Sequence, residues 1–287
     1  MIRLSHDRFK EEARLGIDCI MLTLNAEPHL QETLDAWYKD APIRRLLVID
    51  GGSKDDTVRI LGGYPRVDIW VYPGMTTGKA WEILKRKVQT PWFIWIDVGK
   101  IPRDGWYDEM TQHMDEGDLL GSLRMNYKAG ELVEDPIIRD PVKRLLGGPW
   151  LIRTMSLACY HVDDDYVQRN LDIVIRKQLE DAGGRYHLVT SASHLCYLPI
   201  PVTDEVELKR RHLMNAKGIV KYITPEYART NASYLLDDHW MLMMNTLSRK
   251  WIMETNPDWL PVIQSWRRHR LLIAKAERFL YHTVMRR

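Results

Sequence analysis

Residues 46–57 read LLVIDGGSKDDT, a short apolar run that ends in an aspartate and a glycine-rich turn. Two other runs have the same form: IDCIMLT at 17–23 leads into LNAEP, and WFIWI at 92–96 leads into DVGK. Runs this short, β-rich and almost unbroken in their apolarity are typical of buried parallel strands. The segments between them have helical spacing, so residues 17–100 predict a βαβαβ unit. Ligands bind such sheets outside the carboxyl ends of the strands, where Asn25, Asp50 and Asp97 fall.

The rest of the chain predicts further elements around this unit. In order, they are a helix at 54–62, a strand at 67–72, a helix opening at Gly78, a helix at 106–116, a strand at 118–125, a surface loop at 126–148, a helix at 163–183 ended by Gly183 and Gly184, and a strand at 186–189 leading toward His194. Pro28 stands where the first turn of a helix tolerates proline.

Composition narrows the functional class. At 287 residues with 45% hydrophobic content, the chain is long enough for one large α/β domain with a substantial appendage. A net charge of +2 argues against a nucleic-acid partner. The cysteines are scattered without CxxC spacing, which predicts free thiols and a cytoplasmic setting: they are Cys19, Cys159 and Cys196. The polar N-terminus does not resemble a signal peptide, and no apolar run has the length of a membrane span.

The order of the motifs resembles the family 2 glycosyltransferases of GT-A fold. The matching segments are TLNAE at 23–27, VIDGGSKDDT at 48–57, GKA at 78–80 and WIDVG at 95–99. The resemblance covers roughly 17–200, and it implies a Rossmann-like, mostly parallel sheet flanked by helices. It divides the chain into a catalytic domain at 1–204 and a helical C-terminal region at 205–287.

The resemblance also implies a site for a nucleotide-diphosphate sugar with UDP or GDP. The binding residues it implies are Thr23, Asn25, Glu27, Asp50, Gly51, Lys79, Asp97, Val98 and Gly99. Asn25, Glu27 and Asp50 would surround the base and ribose, because a carboxylate accepts from a base N–H or a ribose hydroxyl. Lys79, at a helix start, would lie near the phosphates. Turn and cap chemistry is the competing interpretation for Asp50, and it is the preferred one for Asp56.

The metal motif of the family is incomplete in this chain. Asp97 occupies the first position of the family's Asp-x-Asp, but Gly99 stands in place of the second carboxylate. The resemblance implies Mg²⁺ or Mn²⁺ held by Asp97, and His194 is a further candidate ligand in this chain. Two alternatives stay open. In place of a metal ion, Lys100 could supply the positive charge at the leaving diphosphate. In place of a metal ligand, His194 could be a structural hydrogen-bonding residue.

A general base is expected for an inverting transfer, because the acceptor hydroxyl must lose its proton as it attacks. The family places this aspartate about eleven residues before the glycine that ends its helix, which gives Asp172 when Gly183 is the anchor. Anchoring on an acid-x-acid pair followed by arginine gives Asp163 and Asp165 instead. An acidic helix start would explain the run at 163–165 without catalysis.

The C-terminal region carries no motif of the family. Residues 205–212 predict a charged helix, and 262–285 predict an amphipathic helix decorated with arginines. That helix could pack on its own domain, on a second copy in a homodimer, or on a membrane surface in a peripheral protein.

The sequence thus predicts a hexosyltransferase that moves a sugar to a hydroxyl of a sugar, lipid-linked or protein acceptor. A nucleotide- or sugar-binding protein without catalysis is the first alternative. A nucleotidyltransferase is the second, although that class usually has a basic glycine-rich loop where this chain has Asn25-Ala26-Glu27.

Overall fold

The structure is a computed structural model, and it describes residues 15–128, 131–132, 148–163, 171–197, 205–230 and 246–264. The chain divides into two compact units, Met1–Pro201 and Val202–Arg287.

The first unit is built on one sheet with helices between its strands. Its strands are β1 (Ile17–Thr23), β2 (Ile43–Asp50), β3 (Val67–Val71), β4 (Trp92–Ile96), β5 (Lys100–Pro102), β6 (Leu119–Lys128), β7 (Glu131–Leu132), β8 (Trp150–Arg153) and β9 (Tyr186–Tyr197). Its helices are α1 (Glu27–Asp40), α2 (Thr57–Gly62), α3 (Thr77–Lys85), α4 (Trp106–Gln112) and α5 (Leu171–Asp181).

The strands lie in the order β3-β2-β1-β4-β8-β6-β9-β5, with β7 paired to β6. The four strands β1 to β4 are mutually parallel, as the three apolar runs predicted. Beyond β4 the sheet is mixed, since β8 is antiparallel to both β4 and β6 while β9 is parallel to β6. The parallel half therefore carries the predicted βαβαβ unit, and the mixed half extends the sheet on one side.

Helix α1 covers one face of the parallel half. Leu30, Leu34 and Trp37 recur at helical spacing and are fully buried against the sheet. Burial of each leucine stabilises the fold by about 2 kcal/mol. The Trp37 indole Nε1 also donates to the carbonyl of Lys100 at 3.0 Å, and its ring meets Trp106 edge-on at 4.9 Å. The helix is thus tied to the segment that follows β4.

A buried ion cluster lies at the amino end of β1. The Asp18 carboxylate is fully buried and contacts the Arg44 guanidinium at 2.9 Å and that of Arg45 at 2.7 Å. The Gln89 amide donates to the same carboxylate at 2.8 Å. Burial by itself raises the pKa of Asp18, but the hydrogen bonds from Arg45 and Gln89 and the two guanidinium charges outweigh it and lower that pKa overall.

Some predicted elements have other bounds in the structure. Strand β8 was not predicted, and β9 runs for 12 residues where only 186–189 were expected. Helix α4 ends at Gln112 rather than at 116. Helix α5 ends as predicted: Gly183 has φ +77°, and the Gly184 amide donates to the Leu179 carbonyl at 2.9 Å.

The second unit is helical in its described part. Helices α6 (Glu205–Tyr222), α7 (Pro225–Thr230) and α8 (Thr246–Thr255) are present, and α6 packs on α8. The Lys217 ammonium lies 5.6 Å from the centre of the Trp251 ring. Of the predicted helix at 262–285, residues beyond 264 lie outside the described part. None of the helices in the described segments combines the length and apolarity needed to cross a bilayer.

Candidate active site

The strand order defines a crevice at one edge of the parallel sheet. From β1 the chain moves outward to β2 and β3, and then returns to the other side of β1 to form β4. The carboxyl ends of β1 and β4 therefore flank a topological switch point, where open α/β sheets bind their ligands. Thr23 ends β1 on one side, and Asp97 directly follows β4 on the other.

The loops that follow β1 and β2 are joined by side-chain to backbone hydrogen bonds. The Asn25 amide donates to Ser53 Oγ at 2.8 Å, and the Lys54 amide donates to Asn25 Oδ1 at 2.9 Å. The bonds continue from Ala26 N to Thr57 Oγ1 at 2.7 Å, from Glu27 N to Asp55 Oδ2 at 3.1 Å and from Asp56 N to Glu27 Oε2 at 3.1 Å. We call these residues the joined loops (24–27 and 51–57).

Asp50 organises the turn inside the joined loops. Its side chain is fully buried, and it accepts from Thr23 Oγ1 at 3.0 Å, from Gly52 N at 2.9 Å, from Ser53 N at 2.8 Å and from Ser53 Oγ. A carboxylate has about four lone-pair sites, so the donors of the chain itself occupy them. In the structure Asp50 thus has the turn chemistry that competed with nucleotide binding as the interpretation of its sequence position.

Gly51 and Gly52 serve the same turn. The Gly51 amide donates to the Thr23 carbonyl at 2.8 Å. Gly52 has φ +93°, and a Cβ there would lie 2.9 Å from Pro73 Cα, closer than side chains tolerate. A residue with a side chain at position 52 would therefore push the loop after β3 away.

Asp97 has a different environment. Trp95 Nε1 donates to Asp97 Oδ1 at 2.8 Å, whereas Oδ2 has no donor among the described residues. The backbone of Gly148 passes close by, since a Cβ built there would lie 3.5 Å from Oδ2. The side chain is half-buried, so one carboxylate oxygen stays open at the switch point.

A row of tryptophans stands behind Asp97. The Trp95 ring lies 4.8 Å from Trp81 of α3 and 5.8 Å from Trp150 of β8. This packing fixes the Trp95 indole and with it the bond to Asp97. Trp95 was not among the site residues predicted from the sequence. Its signal was the tryptophan two positions before the motif aspartate, where strand alternation places both side chains on one face.

Gly99 takes a conformation that disfavours any other residue. Its φ is +81°, in the left-handed region, and its amide donates to the buried Thr33 Oγ1 at 2.9 Å. Val98 packs partly buried against the core. The missing second carboxylate of the metal motif therefore coincides with a backbone turn that favours glycine.

The cations near the site differ in exposure. Lys79 is exposed in the first turn of α3, where its amide donates to the capping Thr76 Oγ1 at 3.3 Å. Lys100 is not a freely solvated loop lysine, because its Nζ donates to Cys196 Sγ at 2.6 Å. Lys79 is thus the cation that faces solvent at a helix N-terminus.

His194 is buried inside β9. Its Nδ1 lies 2.9 Å from Ser122 Oγ, which also accepts from Trp106 Nε1 at 2.8 Å. Neither Asp97 nor His194 belongs to a group of three histidine, cysteine or acidic side chains that could hold a metal ion among the described residues. Asp97 fits as a single ligand, but these residues do not by themselves form a metal site.

The three candidates for the general base are described to different extents. Asp163 is half-buried at the end of the segment 148–163. Asp172 lies in the first turn of α5, where only its backbone is described, and Asp165 lies outside the described residues. The structure therefore places Asp172 on a helix that ends in Gly183, as the glycine anchor requires.

Two comparisons with known proteins bear on the family and on the fold. Residues 18–151 match the family described as glycosyl transferase family 2. The S. aureus TarS fragment 1–349 in complex with UDP-GlcNAc is 14% identical, with a TM-score of 0.60 over 88% of this chain and 80% of that chain. GalNAc-T7 with UDP, GalNAc and Mn²⁺ is 13% identical, with a TM-score of 0.56 over 84% and 56% of the two chains. At such identities the likeness shows the fold alone, and that fold is GT-A.

The predicted resemblance to family 2 glycosyltransferases of GT-A fold is thereby confirmed. The α/β fold class, a curled sheet flanked by helices, is confirmed with it. Among curated proteins, none matches this sequence at a significant level.

Proposed function

We propose that the protein transfers a hexose from a UDP-sugar to an acceptor hydroxyl. The observation that carries the proposal is the open Oδ2 of Asp97, which lies at the switch point of a segment that matches family 2. Support for UDP rather than GDP comes from the relatives, since TarS was crystallised with UDP and with UDP-GlcNAc, and GalNAc-T7 with UDP and GalNAc.

The joined loops are assigned to the nucleoside half of the donor. The residues assigned to it, Thr23, Asn25, Glu27 and Gly51, lie at or just beyond the carboxyl ends of β1 and β2. Asp50 contributes through these residues, because its carboxylate fixes the turn that presents Gly51. In this assignment its effect on the base and ribose is indirect.

The diphosphate is assigned to Lys79 and Asp97. The N-terminus of α3 carries a partial positive charge, and the Lys79 ammonium adds a full one beside it. A Mg²⁺ or Mn²⁺ ion held by Asp97 would neutralise charge on the leaving nucleoside diphosphate. Such ions are commonly bound by one or two carboxylates together with substrate phosphates. His194 we assign to its buried hydrogen-bond chain rather than to the ion.

The transfer step we propose is a single displacement with inversion. The acceptor oxygen bonds to the anomeric carbon while the bond from that carbon to the diphosphate oxygen breaks. A carboxylate takes the hydroxyl proton, and we assign this base to Asp172, with Asp163 and Asp165 as the alternatives to compare. The electron pair of the broken bond leaves with the nucleoside diphosphate.

Calorimetric titration with UDP and GDP, each with Mn²⁺ and with EDTA, tests the donor site. We expect UDP to bind more tightly than GDP. UDP and Mn²⁺ should each raise the affinity for the other, because Asp97 alone is a poor site for a free ion. Asp97→Asn should abolish the synergy. Asp104→Asn removes a carboxylate that is 90% exposed and paired with Lys39, so it serves as the matched control.

Hydrolysis of the UDP-sugar, followed as UDP release, separates an enzyme from a binding protein. Release that is lost in Asp172→Asn but kept in Asp163→Asn supports the assigned base. Tight UDP binding without any release would favour the non-catalytic alternative. Failure of both nucleotides to bind would contradict the proposed transferase.

A further inference from the structure

A second polar cluster lies at the opposite edge of the same sheet. His113 follows the last residue of α4, Glu116 lies in the turn after it, and His187 is the second residue of β9. His187 is paired with Leu120 near the start of β6, which lies at the amino edge of the parallel strands. The cluster is therefore at the other end of the strands from Asp97, and the proposed transfer does not use it.

The backbone brings these side chains together in a defined way. Gly117 has no side chain, and a Cβ there would lie 3.0 Å from both the Arg185 carbonyl and His187 Cβ. The Asp118 amide donates to the same carbonyl at 2.7 Å, and the Arg185 amide donates back to Asp118 Oδ2 at 3.0 Å. This close approach of two segments places Glu116 beside the His187 ring.

The donor atoms converge on one point. His113 Nδ1 lies 2.6 Å from Glu116 Oε1, and His187 Nε2 lies 2.9 Å from Glu116 Oε2. One nitrogen from each ring and one carboxylate oxygen all lie within 4.8 Å of one another. The two imidazoles stack with their centres 5.6 Å apart at 20°.

We propose that His113, Glu116 and His187 form a Zn²⁺ site with an open fourth position for water. Two imidazoles and one carboxylate are a frequent zinc ligand set, and bonds of about 2.0–2.2 Å set tetrahedral ligands roughly 3.4 Å apart. The separations of 2.6 Å to Oε1 and 2.9 Å to Oε2 thus need to widen by less than about 1 Å, while the three donor atoms already lie within 4.8 Å of one another. Imidazole ligands select zinc over the magnesium or manganese proposed at Asp97.

The same contacts show which atoms an ion would take. The Glu116 carboxylate lies within hydrogen-bond distance of His113 Nδ1 and His187 Nε2. A Zn²⁺ ion would replace these contacts and be held by the same two nitrogens and a carboxylate oxygen. The side chains are between 29% and 44% exposed, so an ion reaches them without opening the core.

Binding of Zn²⁺ to untagged, EDTA-treated and dialysed protein tests the site by calorimetry. We expect one ion per chain and a higher melting temperature in its presence. His113→Gln, Glu116→Gln and His187→Gln should each weaken binding by at least about tenfold. The control is His161→Gln, which removes an imidazole 3.8 Å from Glu82 and 75% exposed; it should bind as the unmodified protein does.

A Co²⁺ titration of the unmodified protein gives a readout that does not depend on any variant. A strong visible absorption band, lost on addition of Zn²⁺, is expected for a four-coordinate site. Absence of both Zn²⁺ and Co²⁺ binding overturns the proposal and leaves a hydrogen-bonded trio. Zn²⁺ binding that survives all three cluster substitutions but is lost in Asp97→Asn also overturns it.

Discussion

Two aspartates end the strands on either side of β1, and the structure uses them in opposite ways. Asp50 ends β2, is fully buried and accepts four hydrogen bonds from its own chain. Asp97 follows β4, is half-buried and accepts one bond, from Trp95. Position at a strand end is the same for both, so position alone does not assign a role. What distinguishes them is the number of hydrogen bonds that each carboxylate already accepts. Asp50 shapes the site, whereas Asp97 has an oxygen left for a ligand.

The largest expected effect is on catalysis at Asp97. Asp97→Asn should lower kcat on the order of 10³-fold, because it weakens the hold on the Mg²⁺ or Mn²⁺ ion that would neutralise charge on the leaving diphosphate. The free energy of unfolding should change by less than about 0.5 kcal/mol, since one hydrogen bond is involved. Steady-state kinetics and urea unfolding of one preparation measure both. A loss of unfolding free energy of about 3 kcal/mol, as expected below for Asp50→Asn, would contradict the distinction drawn between the two aspartates.

The opposite pattern is expected at Asp50. Asp50→Asn sets an amide against backbone N–H groups of Gly52 and Ser53, which leaves buried donors unpaired and costs about 3 kcal/mol of unfolding free energy. The affinity for the nucleotide sugar should fall only to the extent that the joined loops become less ordered. The measurement is urea unfolding beside Asp104→Asn, which is expected to be neutral. An unchanged stability would refute the structural role of Asp50.

A second fully buried carboxylate, that of Asp18, extends the comparison to pH. The pKa of Asp18 is held below its usual value of 3.8, so its contribution is fully present above that pH and is lost as the pH falls through the lower folded value. Asp18→Asn should cost about 2 kcal/mol at pH 7, less than a fully buried pair because Arg44 and Arg45 are partly exposed. Thermal unfolding across pH 2–7 should show the stabilities of the two proteins converging at the acid end, below the usual carboxyl range.

The smallest effect is expected at Gly99. Gly99→Asp restores the family's second carboxylate in sequence, yet it places a side chain at φ +81° and should cost about 1 kcal/mol. We expect Mn²⁺ affinity to stay unchanged. Gly62→Ala, at a helical position with open space around it, is the matched control and should not destabilise. A marked gain in Mn²⁺ affinity would show that the turn accommodates a ligand.

The parallel half of the fold was predictable from the sequence, and the mixed half was less so. The runs at 17–23, 46–50 and 92–96 are buried on both faces, so their apolarity is continuous and their length is clear. Strand β8 has four residues and β9 alternates buried with polar positions such as Thr190 and Ser193. Such strands are fixed by their neighbours in the sheet and leave a weak periodic signal.

The candidate site was also predictable from the sequence only in part. Motif order identified Asp97 and Asp50, because each stands at a strand end that the apolar pattern already marks. The pattern could not distinguish them, since the bonds that occupy Asp50, from Gly52 and Ser53 in its turn and from Thr23 of β1, form only in the folded loops, whereas Asp97 accepts one bond, from Trp95. Gly99 was identified as a departure, and its reason, a left-handed turn held by Thr33, required the structure.

The hydrogen bonds of the joined loops have a consequence for their motion. Five backbone amides, those of Asn25, Ala26, Glu27, Lys54 and Asp56, are protected by side chains of the opposite or neighbouring loop. Opening either loop breaks bonds in both, so these amides should exchange their hydrogens as one cooperative unit rather than one by one. The nucleoside half of a donor would then meet a surface that is already ordered, and little conformational entropy would be lost in forming the complex.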